Sequence, residues 1–359
     1  QTHLLRFWEE ITPIQRRGLA EQIDALDLPL VSRLYREQLS AVRDPAFASQ
    51  LASSAQPLED IERAGGADEA AVQDVGRQLW QAGRAGVIIV AGGSGSRLGF
   101  SQPKGMYPIG PVSGVSLFQW LIEKIVAASR RYGARIPLYL MTSPVTHDAT
   151  VAFLDEHQRF GLPREDLLIF EQATLPAVDA ASGKILLEAK DRLVLAPDGT
   201  GGVFRALLRH GMLDDMRLRG LAHLCYANID NPLASICDAG FLGRHARADA
   251  DLTTQVVRKR RPDEPLGNML RIGERVQMVE YSELPPSLAR QTERDGSLRF
   301  WNGNIAVHVF RREFLQRAAE LSLPFHAAYK CVPYVDERGS AVEPESPNAV
   351  KLEHFIFDA

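Results

Sequence analysis

The chain has 359 residues, 45% hydrophobic and 24% charged, with a formal net charge of −4. That is long enough for one large α/β core plus a smaller appendage, and the acidic balance gives no global electrostatic support for binding nucleic acid or an anionic membrane. Three cysteines without C-x-x-C spacing argue against a disulfide framework or structural zinc site and for a reducing cytoplasm; no apolar run is long enough to cross a bilayer, and Gln1–Arg6 lacks a signal-peptide core.

The chain opens without an initiating Met, which reads as a trimmed start. Thr12-Pro13-Ile14-Gln15 supplies a cap, a proline at the first helical position and a capping-box partner, and Leu19, Ile23 and Leu26 recur at helical spacing. Residues 1–80 therefore read as a helical N-terminal segment. Ala52–Pro57 and Ala64–Ala67 are small and polar and read as connection.

A strand over 87–91 follows, and directly after it comes Gly92-Gly93-Ser94-Gly95-Ser96-Arg97-Leu98-Gly99, then Pro103-Lys104-Gly105. Glycines after a buried strand let backbone N–H groups approach an anion closely. No Gly-Lys-Ser/Thr closes the loop as in a Walker A sequence, and its last glycine falls one residue too late for G-x-G-x-x-G. Arg97 and Lys104 instead place two cations at the loop, which suits a nucleoside triphosphate.

Helices over about 116–131, 146–160, 202–216 and 236–248 alternate with strands over 136–142, 166–170, 221–227 and 252–258. Such alternation predicts βαβ units in a doubly wound, mostly parallel, Rossmann-like sheet. Ligands in such sheets sit beyond the carboxyl ends of the strands, where three further stretches fall. Gln172, after the strand ending at Phe170, carries the acceptor and donors that complement a pyrimidine edge, although a lone loop glutamine is more often solvated. Pro197-Asp198-Gly199-Thr200-Gly201-Gly202 runs into a helix N-terminus, either to admit a base or phosphate or as a plain turn. Asp230, ending the strand in Cys225–Asn231, suits Mg²⁺ or a helix N-cap.

Arg258-Lys259-Arg260-Arg261 reads as a solvated strand end, with the rim of a phosphate site as the next choice. Beyond 258 the pattern is less regular, with strands around Arg271-Ile272, Val276–Tyr281 and Ile305–Phe310, as expected of an inserted subdomain. No H-E-x-x-H or Gly-x-Ser-x-Gly pattern is present, which excludes those metalloprotease and serine hydrolase chemistries.

With these residues in order, the chain resembles the UDP-sugar pyrophosphorylase family, most closely its UDP-N-acetylhexosamine pyrophosphorylase branch. The resemblance rests on Gly92–Gly105, Glu171-Gln172 before Leu175-Pro176, Pro197-Asp198-Gly199 before Gly201-Gly202, and Ile229–Leu233. It continues through Glu264–Gly267, Val279–Leu284, Asn302–His308, and Asn348 with Lys351–Asp358.

The resemblance implies a nucleotidyltransferase domain over 81–335 with an inserted sugar-facing subdomain, and a final strand region over 336–359. It implies that Gly92, Gly93, Gln172 and Gly201 or Gly202 hold uracil, Gly95 shares the nucleotide loop, Arg97 and Lys104 engage phosphates, and Asp230 helps place Mg²⁺. Gly267, Glu280, Asn304 and Lys351 would surround the sugar. The implied reaction takes UTP and a sugar 1-phosphate, N-acetylglucosamine 1-phosphate first, to a UDP-sugar and pyrophosphate. A UDP-glucose or broad UDP-sugar pyrophosphorylase and a UDP-sugar sensor remain the alternatives. Thr200 and Ile229 stand where family members often have Asn and Val. The family continues past the equivalent of Ala359 into a domain with a further phosphate-binding lysine, so either the chain is cut short or another group does that job. The sequence leaves the oligomeric state open.

Overall fold

The structure, a computed structural model, describes residues 1–41, 54–281 and 283–359. Ala52 and Ser53 of the expected connection, and Ser282 within one of the family motifs, lie outside the described residues. The chain divides into two compact units, Gln1–Phe47 with Ala173–Gly202 and Leu323–Asp358, and Ala48–Gln172 with Val203–Ser322 and Ala359.

The second unit is built on a six-stranded sheet in the spatial order Leu252–Arg258, Asn302–Arg311, His223–Asn228, Ala85–Val90, Leu138–Thr142, Leu167–Glu171. The last four strands run parallel, while Asn302–Arg311 is antiparallel to both neighbours. Val87, Ile88, Ile89, Leu138 and Leu140 are fully buried, which is why these strands read as unbroken apolar runs: a parallel sheet is covered on both faces. Helix Leu117–Tyr132 starts where the Ser116 side chain accepts from Gln119 N and ends at Gly133. It lays Leu117, Leu121, Ile125 and Ala128 against Val87, Ile89, Leu138 and Leu140. Each such leucine or isoleucine contributes about 1.5–3 kcal/mol by leaving water.

From Ala85–Val90 the chain crosses to Leu138–Thr142 on one side, whereas His223–Asn228 pairs on the other. The carboxyl ends of Ala85–Val90 and His223–Asn228 thus flank the topological switch point, where open α/β sheets bind ligands. A smaller sheet in this unit joins Ala55–Gln56, Asn268–Ile272 and Arg275–Val279. Leu270, Val279, Leu284, Leu288 and Phe300 form its core. Ala55 and Gln56, expected as connection, make a two-residue edge strand; a pair that short leaves no periodic signal.

Three helices are shorter than their expected spans, the one over 236–248 being Ala239–Arg247, which starts only after its Asp238 cap. The one over 146–160 stops at Glu156, after which Gln158, Arg159 and Phe160 all take positive φ. The one over 202–216 is two, Gly202–Arg209 and Met212–Leu218, because Gly211 at φ 70° turns the chain left-handed between them.

In the first unit, Thr12 and Gln15 form the expected reciprocal capping box at the start of Pro13–Asp24. Leu4, Phe7, Leu19, Val31 and Leu34 share one core with Val178, Ile185, Leu187, Val350 and Leu352, so the N-terminal helices pack on segments far along the chain. Strand Ala349–Glu353 lies between His326–Lys330 and Val178–Asp179. Among the described residues, no helix is long and apolar enough to cross a membrane.

Candidate active site

Beyond Val90 the glycine loop doubles back on itself: Gly95 N–H donates to Gln102 O at 2.9 Å and Lys104 N–H to Gly93 O at 3.0 Å. Lys104, eleven residues along from Gly93, is thereby returned to the start of the loop. Gly92 is fixed from the neighbouring strand ends. The Ser143 hydroxyl donates to Gly92 O at 2.7 Å, and a Cβ on Gly92 would stand 2.7 Å from Gln172 Oε1. Gln172 retains 5% exposure, so it is a buried side chain beside the loop and not the solvated loop residue that such a glutamine more often is. A Cβ on Gly93, by contrast, would meet nothing nearer than Lys104 Cε and Nζ at 3.7 and 3.8 Å. Among the described residues no neighbouring atom requires Gly93 to be glycine. Gly95 is packed on Phe100, whose ring and carbonyl lie within 3.0 Å of where its Cβ would be. Arg97 lies in the short 3-10 turn Ser96–Leu98, and its side chain falls outside what the structure describes.

Across the switch point, Lys104 Nζ donates to Asp230 Oδ2 at 2.9 Å. Asp230 is no helix cap: the next helix, Ala239–Arg247, is capped by Asp238, whose side chain accepts from Phe241 N. With its carboxylate half exposed, Asp230 is open to a cation. The loop after it is gripped from helix Leu117–Tyr132. Trp120 Nε1 donates to Pro232 O at 2.8 Å, and Lys124 Nζ donates to Pro232 O and, at 3.1 Å, to Ala234 O. Burial lowers the Lys124 pKa.

Three of the four residues expected at the sugar, Gly267, Glu280 and Asn304, fall on a second group of segments in the same unit, while Lys351 belongs to the first unit. Asn304 N–H donates to Gly267 O at 2.8 Å, and the Asn304 carboxamide oxygen accepts from Ala306 N at 2.9 Å, closing a turn in which Ala306 takes φ 53°. Glu280 directly follows Val279, which pairs with Asn268 beside Gly267. The Asn231 side chain donates to Ile305 O at 3.2 Å, so this cluster adjoins the loop that carries Asp230. The expected solvated strand end at 258–261 is corrected at one position: Arg258, Arg260 and Arg261 are exposed, but Lys259 is buried to 4% exposure.

In the first unit, Gly199, Gly201 and Gly202 are packed by their own chain. Cβ atoms there would stand 2.3 Å from His354 O, 2.8 Å from Phe355 O and 2.1 Å from Asp198 Oδ1. Gly201 N–H donates to His354 O and His354 N–H to Asp198 O, at 2.9 and 2.8 Å. Lys351 lies half-buried on strand Ala349–Glu353, opposite Ala328.

Sequence reasoning missed Ser143, Trp120 and Lys124. Ser143 carried a usable signal, since it directly follows an expected strand end. Trp120 and Lys124 carried none, because they act on carbonyls more than 100 residues away in sequence.

A doubly wound sheet with an anion-approach loop, a lysine and a carboxylate at its switch point defines a nucleotide-binding α/β enzyme. The model of the UTP–glucose-1-phosphate uridylyltransferase family matches residues 55–356. UDP-N-acetylhexosamine pyrophosphorylase-like protein 1 of Xenopus tropicalis is 37% identical over 373 residues, covering 100% of this chain and 73% of that protein. The Homo sapiens protein of the same name is 38% identical over 376 residues, with the same coverage. The crystal structure of the uridine diphosphate N-acetylglucosamine pyrophosphorylase from Trypanosoma brucei in complex with inhibitor matches with a TM-score of 0.82 and 30% identity, covering 100% of this chain and 72% of that one. The chain belongs to the UTP–glucose-1-phosphate uridylyltransferase family and is a uridylyltransferase.

Proposed function

We propose that this uridylyltransferase forms UDP-N-acetylglucosamine and pyrophosphate from UTP and N-acetylglucosamine 1-phosphate. The choice of sugar is supported by relatives at 37–38% identity named for UDP-N-acetylhexosamine and by a 30% identical structure named for UDP-N-acetylglucosamine. The observation that carries the placement of the reaction is the Lys104–Asp230 pair, which joins two loops across the switch point. Lys104 and Arg97 neutralise the UTP phosphates, and exposed Gly93, whose nearest described neighbour is the flexible end of Lys104, admits the nucleotide to the backbone. Gly92 and Gln172 hold uracil, with Gly95 shaping the loop, and Gly267, Glu280 and Asn304 line the sugar.

The sugar phosphate oxygen is already an anion, so in-line attack at the α-phosphorus needs no general base and no covalent intermediate. Catalysis is then positioning of two polyanions and neutralisation of their charge. Asp230 fits Mg²⁺ by its chemistry: it is a half-exposed carboxylate, and Mg²⁺ takes one or two carboxylates and completes its shell with water and phosphate oxygens. Among the described residues no group of three or more His, Cys, Asp or Glu is arranged to hold a metal ion, so the proposal gives the metal one protein carboxylate, Asp230, with phosphate oxygens and water completing its shell. When bound, the metal would supply further charge neutralisation at the phosphates. A cytoplasmic setting accords with the free Cys225, Cys237 and Cys331.

The test is pyrophosphate release from UTP and Mg²⁺ with the 1-phosphates of N-acetylglucosamine, N-acetylgalactosamine, glucose and galactose in parallel. Release with an N-acetyl sugar well above glucose supports the proposal. A preference for glucose 1-phosphate overturns the sugar assignment, and UDP-sugar binding without release makes the chain a sensor.

A further inference from the structure

Lys259 has no place in the chemistry above, yet it is an ammonium buried to 4% exposure. Its Nζ donates to Asn268 Oδ1 at 3.1 Å and to Leu266 O at 3.4 Å, so it holds the residues on both sides of Gly267. Both acceptors are neutral; Glu264 and Asp263 draw on the charge only through space. Burying a cation against neutral acceptors is costly, and a methionine would fill the same volume without that cost. The charge gives something in return: hydrogen bonds from an ionised donor are roughly twice as strong as neutral ones. The Asn268 carboxamide is buried as well, and it donates to Phe300 O and Asn302 O, both at 2.8 Å. Asn302 in turn exchanges two hydrogen bonds with the Met269 backbone. The chain of contacts therefore runs from Lys259 through Asn268 to the strand that carries Asn304, whose N–H meets Gly267 O.

We propose that Lys259 is a positioning residue for the sugar 1-phosphate: it fixes the Leu266–Asn268 segment against Asn302–Asn304 and so holds Gly267 and Asn304 in register. This rests on the assignment of those two residues to the sugar. Lys259 does not touch substrate. It acts through the Leu266 carbonyl and the Asn268 side chain on either side of Gly267, and among the described residues the loop at Gly92–Lys104 is not one of its hydrogen-bond partners.

The experiment is steady-state kinetics on Lys259→Met and Lys259→Gln, with each substrate varied at saturating levels of the other, alongside UTP binding by calorimetry. Lys259→Met should raise KM for the sugar 1-phosphate about tenfold or more, the size expected of a misplaced binding segment, while KM and affinity for UTP stay within about twofold. Lys259→Gln, which keeps one donor, should fall between wild type and Met and serves in place of Met if that variant does not fold. An unchanged KM for the sugar, or equal losses for both substrates, overturns the proposal and leaves the sugar assignment standing. A wild-type protein that turns over no sugar 1-phosphate at all removes the assignment and this role with it.

Discussion

Gly92–Gly95 in the second unit and Gly199–Gly202 in the first both follow strands, and both read from sequence as places where backbone approaches a ligand. Their surroundings differ. Gly199, Gly201 and Gly202 are hemmed in by the backbone of His354 and Phe355 and by the Asp198 carboxylate, and Gly199 has φ +89°, so the fold by itself accounts for those glycines. Among the described residues Gly93 faces no atom that a methyl group would strike, and it is absent from the positive-φ residues. A glycine that packing does not need is the better pointer to a ligand. Gly93 thus speaks for function, whereas Gly92 and Gly95, packed against Gln172 and Phe100, and the glycines of the second stretch speak first for the architecture of their own units.

The largest expected effect tests the functional side. Lys104→Ala should lower kcat/KM by an amount equivalent to about 2–4 kcal/mol, the loss that follows removal of one oxyanion donor, with the melting temperature little changed. Near-normal turnover would remove the loop from the chemistry. Asp230→Asn should cost a similar amount and abolish the dependence on Mg²⁺ while the fold survives; an unaltered Mg²⁺ titration would reduce Asp230 to a counter-charge for Lys104. The architectural side is tested by Gly199→Ala. A Cβ at positive φ that would also stand 2.3 Å from a carbonyl oxygen should destabilise the protein by about 2 kcal/mol or more, read as a lower denaturant midpoint. A variant as stable as wild type would mean that the second stretch, too, is glycine for a ligand.

The same contrast explains what could be read in the sequence. Strand and helix order in the second unit was legible because parallel strands are continuous apolar runs and the helix over 117–132 carries both its cap and its C-terminal glycine. Gly92, Lys104, Gln172 and Asp230 were legible one by one, since each directly follows a strand or belongs to the loop that does. Their meeting was not, because it depends on strand order: Lys104 and Asp230 are 126 residues apart and are joined only when the sheet places His223–Asn228 beside Ala85–Val90. Lys259 was hidden by its neighbours, three exposed arginines that make the run look like solvated charge. The break at Gly211 had a local signal, a glycine inside a helical pattern, but tertiary packing decides whether such a glycine ends a helix.

Gly93→Ala sharpens the comparison at smaller amplitude. Since the added methyl meets only the flexible end of Lys104 at 3.7–3.8 Å, the melting temperature should stay within about 2 °C of wild type, while kcat/KM falls about tenfold as the methyl occupies the space given to the nucleotide. Equal loss of stability and activity would make this glycine architectural as well.

The smallest expected effect concerns the support beneath Asp230. Lys124 spends a partly buried ammonium on the carbonyls of Pro232 and Ala234, with the Trp120 indole donating to the first of them. Nothing in this grip touches substrate, so its loss should loosen the carboxylate and not remove it. Lys124→Met keeps the packing of the side-chain stem and deletes the two hydrogen bonds. Hydrogen bonds from charged donors are worth about 1.5–3 kcal/mol each, but a loop that can relax into water recovers most of that. The consequence should be a rise of about threefold in the Mg²⁺ concentration needed for half-maximal rate, with kcat at saturating Mg²⁺ within about twofold of wild type. A fall in kcat that extra Mg²⁺ does not restore would place Lys124 in the reaction itself, and no change in either would leave the Pro232–Ala234 grip as packing alone.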